Sequence, residues 1–312
     1  MKKRYWLAGL ALGGYLWSRL PQHPSPKSRL VEQAVRHLPI FPKRSYAESF
    51  ENSLRAYELP KSARNYPYKL YRDFRDTFEL IPYNDWSEYT IFYLHGGAYW
   101  APPASFHFKW LNQVAEQLQA RIILPVYPKA PAYHAQDAHR MVMERYQALL
   151  AETPAEKIIL MGDSAGAGLG LALLQQLRQA KLPLPQQAIF ISPWLDITMT
   201  DSLILQLQPN DPMLEADRLR EQGAIYAEPL APTDPLVSPL YGPLADLPPV
   251  TIFTGTHDIL HGDALRYQEI AQRQQLPVKV LTYQDMMHVF PLLPTPEGAD
   301  ATEKIIQLIR QS

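Results

Sequence analysis

Cysteine is absent from this 312-residue chain. Its absence removes disulfides, a thiol nucleophile and cysteine-ligated metal, and leaves the compartment open. An excess of one charge is missing too: 30 Lys and Arg stand against 31 Asp and Glu, a formal net charge of −1. With no dominant basic block, the chain carries no electrostatic footprint for a nucleic-acid partner. A full-length apolar span is lacking at the N-terminus, where the uncharged stretch Tyr5 to Trp17 has thirteen residues and a membrane-crossing helix needs about 20. Glycine is scarce, with 14 in all, which makes its clustering informative.

Four of those glycines, Gly162, Gly166, Gly168 and Gly170, fall within nine positions. They follow the apolar run Ile158-Ile159-Leu160-Met161 and surround Asp163-Ser164-Ala165, before an amphipathic stretch marked by Leu169, Leu173 and Leu177. A strand that turns sharply into a helix at a glycine-flanked serine has the form of a nucleophile elbow, which lifts the hydroxyl clear of a sheet. A second apolar run, Thr90-Ile91-Phe92-Tyr93-Leu94, breaks into His95-Gly96-Gly97-Ala98-Tyr99-Trp100. Acyl transfer places negative charge on the former carbonyl oxygen, and rigidly held backbone N–H groups stabilise it. The N–H groups of Gly96, Gly97 and Ala98, with that of Ala165, are the candidate oxyanion hole.

The order His95-Gly96-Gly97-Ala98, then Gly162-Asp163-Ser164-Ala165-Gly166, then Asp258, then His288 resembles the α/β-hydrolase fold, and within it the hormone-sensitive-lipase-like esterases. The resemblance runs from about residue 65 to the C-terminus and includes Tyr127-Pro128-Lys129-Ala130-Pro131 and Ser192-Pro193-Trp194-Leu195-Asp196. Two positions depart from the family pattern. Ala98 replaces the third glycine of the oxyanion motif, and Val289 follows the histidine where the family commonly has glycine. The resemblance implies a Ser164 nucleophile, a His288 base and an Asp258 acid, with no metal and no organic cofactor.

Local pattern agrees with those assignments. Val250 to Gly255 reads as a buried strand, which puts Asp258 just past a strand's C-terminal end, where open α/β sheets place their chemistry. Val278 to Tyr283 is the next strand, and His288 follows in the loop Asp285 to Phe290. An imidazole within reach of a serine hydroxyl takes its proton, and a carboxylate fixes the imidazole tautomer. Asp263 and Asp196 compete for the acid role. Asp263 reads better as a cap on the following helix, and Asp196 as a turn carboxylate satisfying backbone donors. His257 and His261 stand four apart but on a strand-to-loop junction, without the helix that would make them a metal pair. His95 reads as a turn residue bonded to its own loop.

The remaining pattern alternates strand and helix: a leading hairpin over Tyr68 to Pro82, a strand at Arg121 to Tyr127, a helix at His134 to Leu150 and a strand at Ala188 to Ile191. The expected fold class is α/β, an α/β-hydrolase fold with a mostly parallel central sheet, helices on both faces and a cap region. Residues 1–20 form a signal-anchor-like segment in which Lys2-Lys3-Arg4 precedes the apolar run. No A-x-A cleavage site follows, so the expectation is membrane association with the catalytic domain outside the cytoplasm, the alternative being a docked N-terminal helix on a cytoplasmic protein. Residues 21–65 are expected as linker and N-terminal cap, with Pro21 to Pro26 as a stiff linker, and 66–312 as the catalytic domain, with a proline- and leucine-rich cap insertion at about 198–249.

The expected activity is a serine carboxylesterase hydrolysing short to medium acyl esters through an acyl-enzyme. A cap-enclosed pocket, implied by the resemblance, and Tyr99 and Trp100 crowding the oxyanion loop favour short chains. The partner is a small-molecule ester. An amidase or arylformamidase using the same triad, or a non-catalytic ligand-binding protein of this fold, are the alternatives.

Overall fold

Strands of four to ten residues, the central ones near-continuous apolar runs buried on both faces, build the central sheet of the computed structural model. The structure describes residues 24–37, 45–67, 69–72, 76–82 and 89–311, so the predicted anchor segment 1–20 lies outside the described residues. Among the described residues the strands are β1 (Lys69–Arg72), β2 (Thr77–Ile81), β3 (Thr90–Leu94), β4 (Arg121–Pro125), β5 (Ile158–Asp163), β6 (Gln187–Ile191), β7 (Val250–His257) and β8 (Val278–Met287). Their spatial order is β1-β2-β4-β3-β5-β6-β7-β8. β2 pairs antiparallel with β1 and β4, and every pairing from β4 to β8 is parallel. The predicted hairpin and the mostly parallel sheet are both present.

Among the described residues the helices are α1 (Pro26–His37), α2 (Tyr46–Leu54), α3 (Ser105–Leu118), α4 (Ala135–Leu150), α5 (Ser164–Gln179), α6 (Ile204–Leu207), α7 (Ala216–Ala227), α8 (His261–Arg273) and α9 (Pro296–Arg310). They divide the core between the two faces of the sheet. Phe92, Leu94, Leu160 and Phe190 pack with Val142 and Tyr146 of α4 and Leu169 and Leu173 of α5. Their strand neighbours Ile91, Tyr93, Ile159 and Ile189 pack on the other side with Phe108 and Leu111 of α3 and Ile305 and Ile309 of α9. Each such fully buried side chain contributes about 1.5–3 kcal/mol relative to exposure.

Two strand ends differ from the sequence expectation. β7 continues past Gly255 to His257, and β8 continues past Tyr283 to Met287, through a register shift between Gly255 and His257. The shift sets the four-residue step from Tyr283 to Met287 against the two-residue step from Gly255 to His257 without ending the ladder, so the glycine marks an irregularity inside the strand. Its effect is to deliver Asp258 and His288 directly from paired strands instead of from loose loops.

Outside the sheet, α1 begins at Pro26, within the segment expected as linker and cap. It is tied to the α9 N-terminus by bonds from the Ser25 N–H (2.5 Å) and the Ser28 hydroxyl to Glu297. A reciprocal capping box between Ser45 and Glu48 starts α2. In the 198–249 region Leu219, Tyr226, Val237, Leu240 and Leu244 are buried in the same cluster as the α4 and α5 side of the sheet.

Candidate active site

β5 ends at Asp163 and α5 starts at Ser164, whose φ of 52° lies in the left-handed region that costs a non-glycine residue strain. The flanking glycines serve close approach: a Cβ on Gly166 would sit 2.1 Å from the Leu94 carbonyl oxygen of β3. The strain therefore resides in the serine, and the glycine lets helix and sheet pack tightly enough to hold it.

His288 follows β8 directly, and Asp258 follows β7. The His288 Nε2 lies 2.9 Å from Ser164 Oγ, and its Nδ1 lies 2.9 Å from Asp258 Oδ2. With the Nδ1–H donating to the carboxylate, Nε2 is left to accept from the serine hydroxyl. Asp258 Oδ1 also accepts the Leu260 N–H at 2.9 Å, which fixes the carboxylate plane. Burial alone would lower the His288 pKa, but the charge and hydrogen bond of Asp258 raise it above the ordinary histidine value. The three side chains are buried, with Ser164 the most exposed at 7%.

The competing groups go elsewhere. Asp263 does not cap its own helix: Oδ2 accepts the N–H groups of Leu195 and Asp196 at 3.0 Å each. Burial and neighbouring Asp196 push its carboxyl up to about 8, so at neutral pH it is largely protonated and poorly suited to steady an imidazolium. Asp196 accepts the Thr198 N–H, as a turn carboxylate does, and also holds Arg266 at 2.9 Å. His261 Nδ1 lies 3.1 Å from Thr254 Oγ1, while His257 faces Glu32 at 3.3 Å. His95 Nδ1 lies 2.7 Å from the Gly96 carbonyl oxygen, and its ring stacks on Tyr127 at 4.3 Å.

One oxyanion expectation needs correction. The Gly96 N–H donates to Asp163 Oδ1 at 2.9 Å, so it is already committed and is not available to a substrate oxygen. Gly97 and Ala98 remain, both lining the cavity beside Ser164. Gly97 has φ of 120°, a conformation that side chains rarely adopt, and Ala98 (54°) follows it in the left-handed region. Ala165 stands next to the serine at the start of α5. Tyr99 also departs from expectation: it turns into the core and stacks on Tyr226 of α7 at 3.8 Å, so that Trp100 alone of the pair lines the cavity.

Asp163 was visible in the motif, but its role was not. Besides Gly96 it accepts the Tyr93 hydroxyl at 2.7 Å and faces His107 Nε2 at 3.3 Å. Burial would raise its pKa, yet His107, Tyr93 and the Gly96 N–H together hold it below the usual carboxylate range. No local sequence signal marks His107 or Tyr93 as its partners.

Known proteins are similar to this chain in sequence and in fold. The family described as alpha/beta hydrolase fold matches residues 91–292. The chain belongs to the alpha/beta hydrolase family. An acetyl-hydrolase of Streptomyces hygroscopicus is similar at 33% identity over 219 residues, 69% of this chain and 73% of that protein. An esterase of Acinetobacter venetianus is 33% identical over 221 residues, covering 70% and 73% of the two chains. The crystal structure of an esterase from the bacterial hormone-sensitive lipase family matches with a TM-score of 0.80 and 26% identity, over 93% of this chain and 99% of that one.

In this alpha/beta hydrolase the Ser164 hydroxyl opens into a cavity of about 130 Å³. Trp100, Phe106, Met213, Leu214, Leu219 and Val289 supply apolar walls, and Ser49, Asn52, Glu215, Arg218 and Gln222 supply polar ones. Ser49 and Asn52 come from α2, and the 213–222 residues from the stretch leading into and along α7. The Trp100 indole N–H donates to the Gln222 carbonyl at 3.1 Å, which joins the oxyanion loop to α7.

Proposed function

We propose that this alpha/beta hydrolase is a serine carboxylesterase acting on short to medium acyl esters. The observation that carries the reading is the His288 ring bridging Ser164 Oγ and Asp258 Oδ2 at 2.9 Å on each side, beside the cavity. Ser164 Oγ attacks the ester carbonyl as its proton passes to His288 Nε2, and the carbonyl oxygen becomes an oxyanion facing the N–H groups of Gly97, Ala98 and Ala165. Collapse breaks the bond to the alkoxy oxygen, which leaves as the alcohol with the proton from His288. Water, deprotonated by the same ring, then releases the acid from the acyl-serine. Asp258 keeps the imidazole in the required tautomer and stabilises the imidazolium.

The cavity of about 130 Å³ favours small acyl groups, and the names of the two relatives, an acetyl-hydrolase and an esterase, support ester bonds as the target. Segments 45–54 and 213–222 act as a cap over the serine, with the bulk of the 198–249 insertion fused to the core behind it. The apolar segment 1–20 attaches the enzyme to a membrane, a reading supported by its sequence; among the described residues no helix is long and apolar enough to cross one. The experiment that tests the catalytic reading is replacement of Ser164, with hydrolysis of short-chain aryl esters as the readout.

A further inference from the structure

Asp211 lies between α6 and α7 and is almost fully buried. Its two carboxylate oxygens reach two different parts of the site. Oδ1 accepts the N–H groups of Met213 at 2.8 Å and Leu214 at 2.9 Å, and both residues line the cavity. Oδ2 accepts the N–H of Ile259 at 2.9 Å, across 48 residues of sequence, and Ile259 directly follows Asp258. The first two bonds are those of an ordinary turn at an Asp-Pro sequence. The third is not local, and it joins the cavity wall to the loop that carries Asp258.

We infer that Asp211 is a positioning residue for His288 and Asp258: it clamps the cavity wall to the acid loop and sets a second negative charge near the His288 imidazole. The inference rests on the reading of Ser164, His288 and Asp258 as the triad. The charged groups around Asp211 are Asp258, on the loop after β7, and His288, after β8. Burial and Asp258 push the Asp211 carboxyl up to about 6, while His288 opposes the rise. In return, after Asp258 itself, the Asp211 charge helps to raise the His288 pKa, with Asp163 adding to it. A base whose acidity is set by Asp258 together with Asp211 and Asp163, with Asp211 bonded to the substrate-facing wall, ties the wall's position to the proton transfer.

Asp211→Asn removes the charge and turns one acceptor oxygen into a donor that opposes a backbone N–H. The acid limb of kcat/KM is expected to move to lower pH by about half a unit or more, because the imidazolium loses one of its stabilising charges. Asp211→Glu, which keeps the charge, should return the limb towards its wild-type position. An acid limb unmoved in Asp211→Asn, whatever the loss of rate, would make the residue a structural turn only and overturn the inference. Should Asp211→Asn fail to fold, the Asp211 carboxyl carbon can be titrated by NMR in the wild-type protein and in His288→Ala. Coupling is reciprocal, so loss of the imidazolium should raise the carboxyl's midpoint; coincident midpoints overturn the inference. Ser164→Ala assayed alongside separates the two readings. Retained ester hydrolysis there would sink the triad, whereas the NMR coupling reports on Asp211 and His288 alone.

Discussion

Asp163 holds Gly96: the carboxylate immediately before the candidate nucleophile accepts, at 2.9 Å, the backbone N–H of the loop expected to bind the oxyanion. The same Oδ1 takes the Tyr93 hydroxyl, and Oδ2 faces His107, whose Nδ1 accepts the Ala104 N–H. That last bond leaves the proton of a neutral His107 on Nε2, pointing at the carboxylate. Asp163→Asn would therefore set an amide N–H against an imidazole N–H, or withdraw an acceptor from Gly96. Loss of the loop's position is expected to lower kcat/KM by on the order of 10²-fold, measured on a short-chain aryl ester.

Acid stability follows from the same carboxylate. Its folded pKa lies below the ordinary value of about 3.9, so its contribution is fully present above that value and is lost as pH falls through the folded pKa. Denaturant midpoints measured from neutral pH down to the acid range should fall less steeply in Asp163→Asn than in the wild type.

The esterase rate should fall on the acid side with a midpoint above ~6.5, because Asp258 raises the His288 pKa and only the neutral ring can take the serine proton. A kcat/KM profile against pH measures this. A midpoint well below the ordinary histidine value would contradict the Asp258–His288 contact.

Asp258→Asn should lower turnover by roughly 10⁴ through loss of the correct tautomer. Asp263→Asn should cost far less in catalysis and act mainly on stability, since its bonds go to the Leu195 and Asp196 N–H groups. Side-by-side kcat and thermal-melt measurements on the two variants distinguish them. The reverse ranking of rates would move the acid role to Asp263.

How much of this was legible in the sequence depended on how locally each feature is encoded. Ser164 could be read because it sits where an apolar strand stops, and Asp258 and His288 because each lies a few residues past an apolar strand-like run and in the chain order that the resemblance implies. The N–H of Gly96 was misassigned because its partner lies 67 residues downstream and belongs to the nucleophile's own motif. Tyr99 was placed at the pocket for a similar reason: its stacking partner Tyr226 is supplied by a distant helix. Asp211 carried only the weak signature of an Asp-Pro turn, and nothing in its neighbourhood points to Ile259. The bulge at Gly255 looked like a strand end because a glycine after a β-branched run marks both.

The full-length protein should sediment with membranes and resist a salt wash, since an apolar segment holds by buried surface that salt does not screen. Deleting residues 1–20 should release an active enzyme. Recovery of the intact protein in the soluble fraction would remove the anchor and leave the hydrolase reading untouched.

The central claim is that Ser164 is the nucleophile, and covalent labelling tests it most directly. After reaction with an active-serine fluorophosphonate, peptide mass analysis should find the adduct on Ser164 alone. Ser164→Ala should take up no label and lose on the order of 10⁶ in turnover while keeping its fold. Label on another residue, or a Ser164→Ala protein that keeps more than a few per cent of the wild-type rate, would contradict the account.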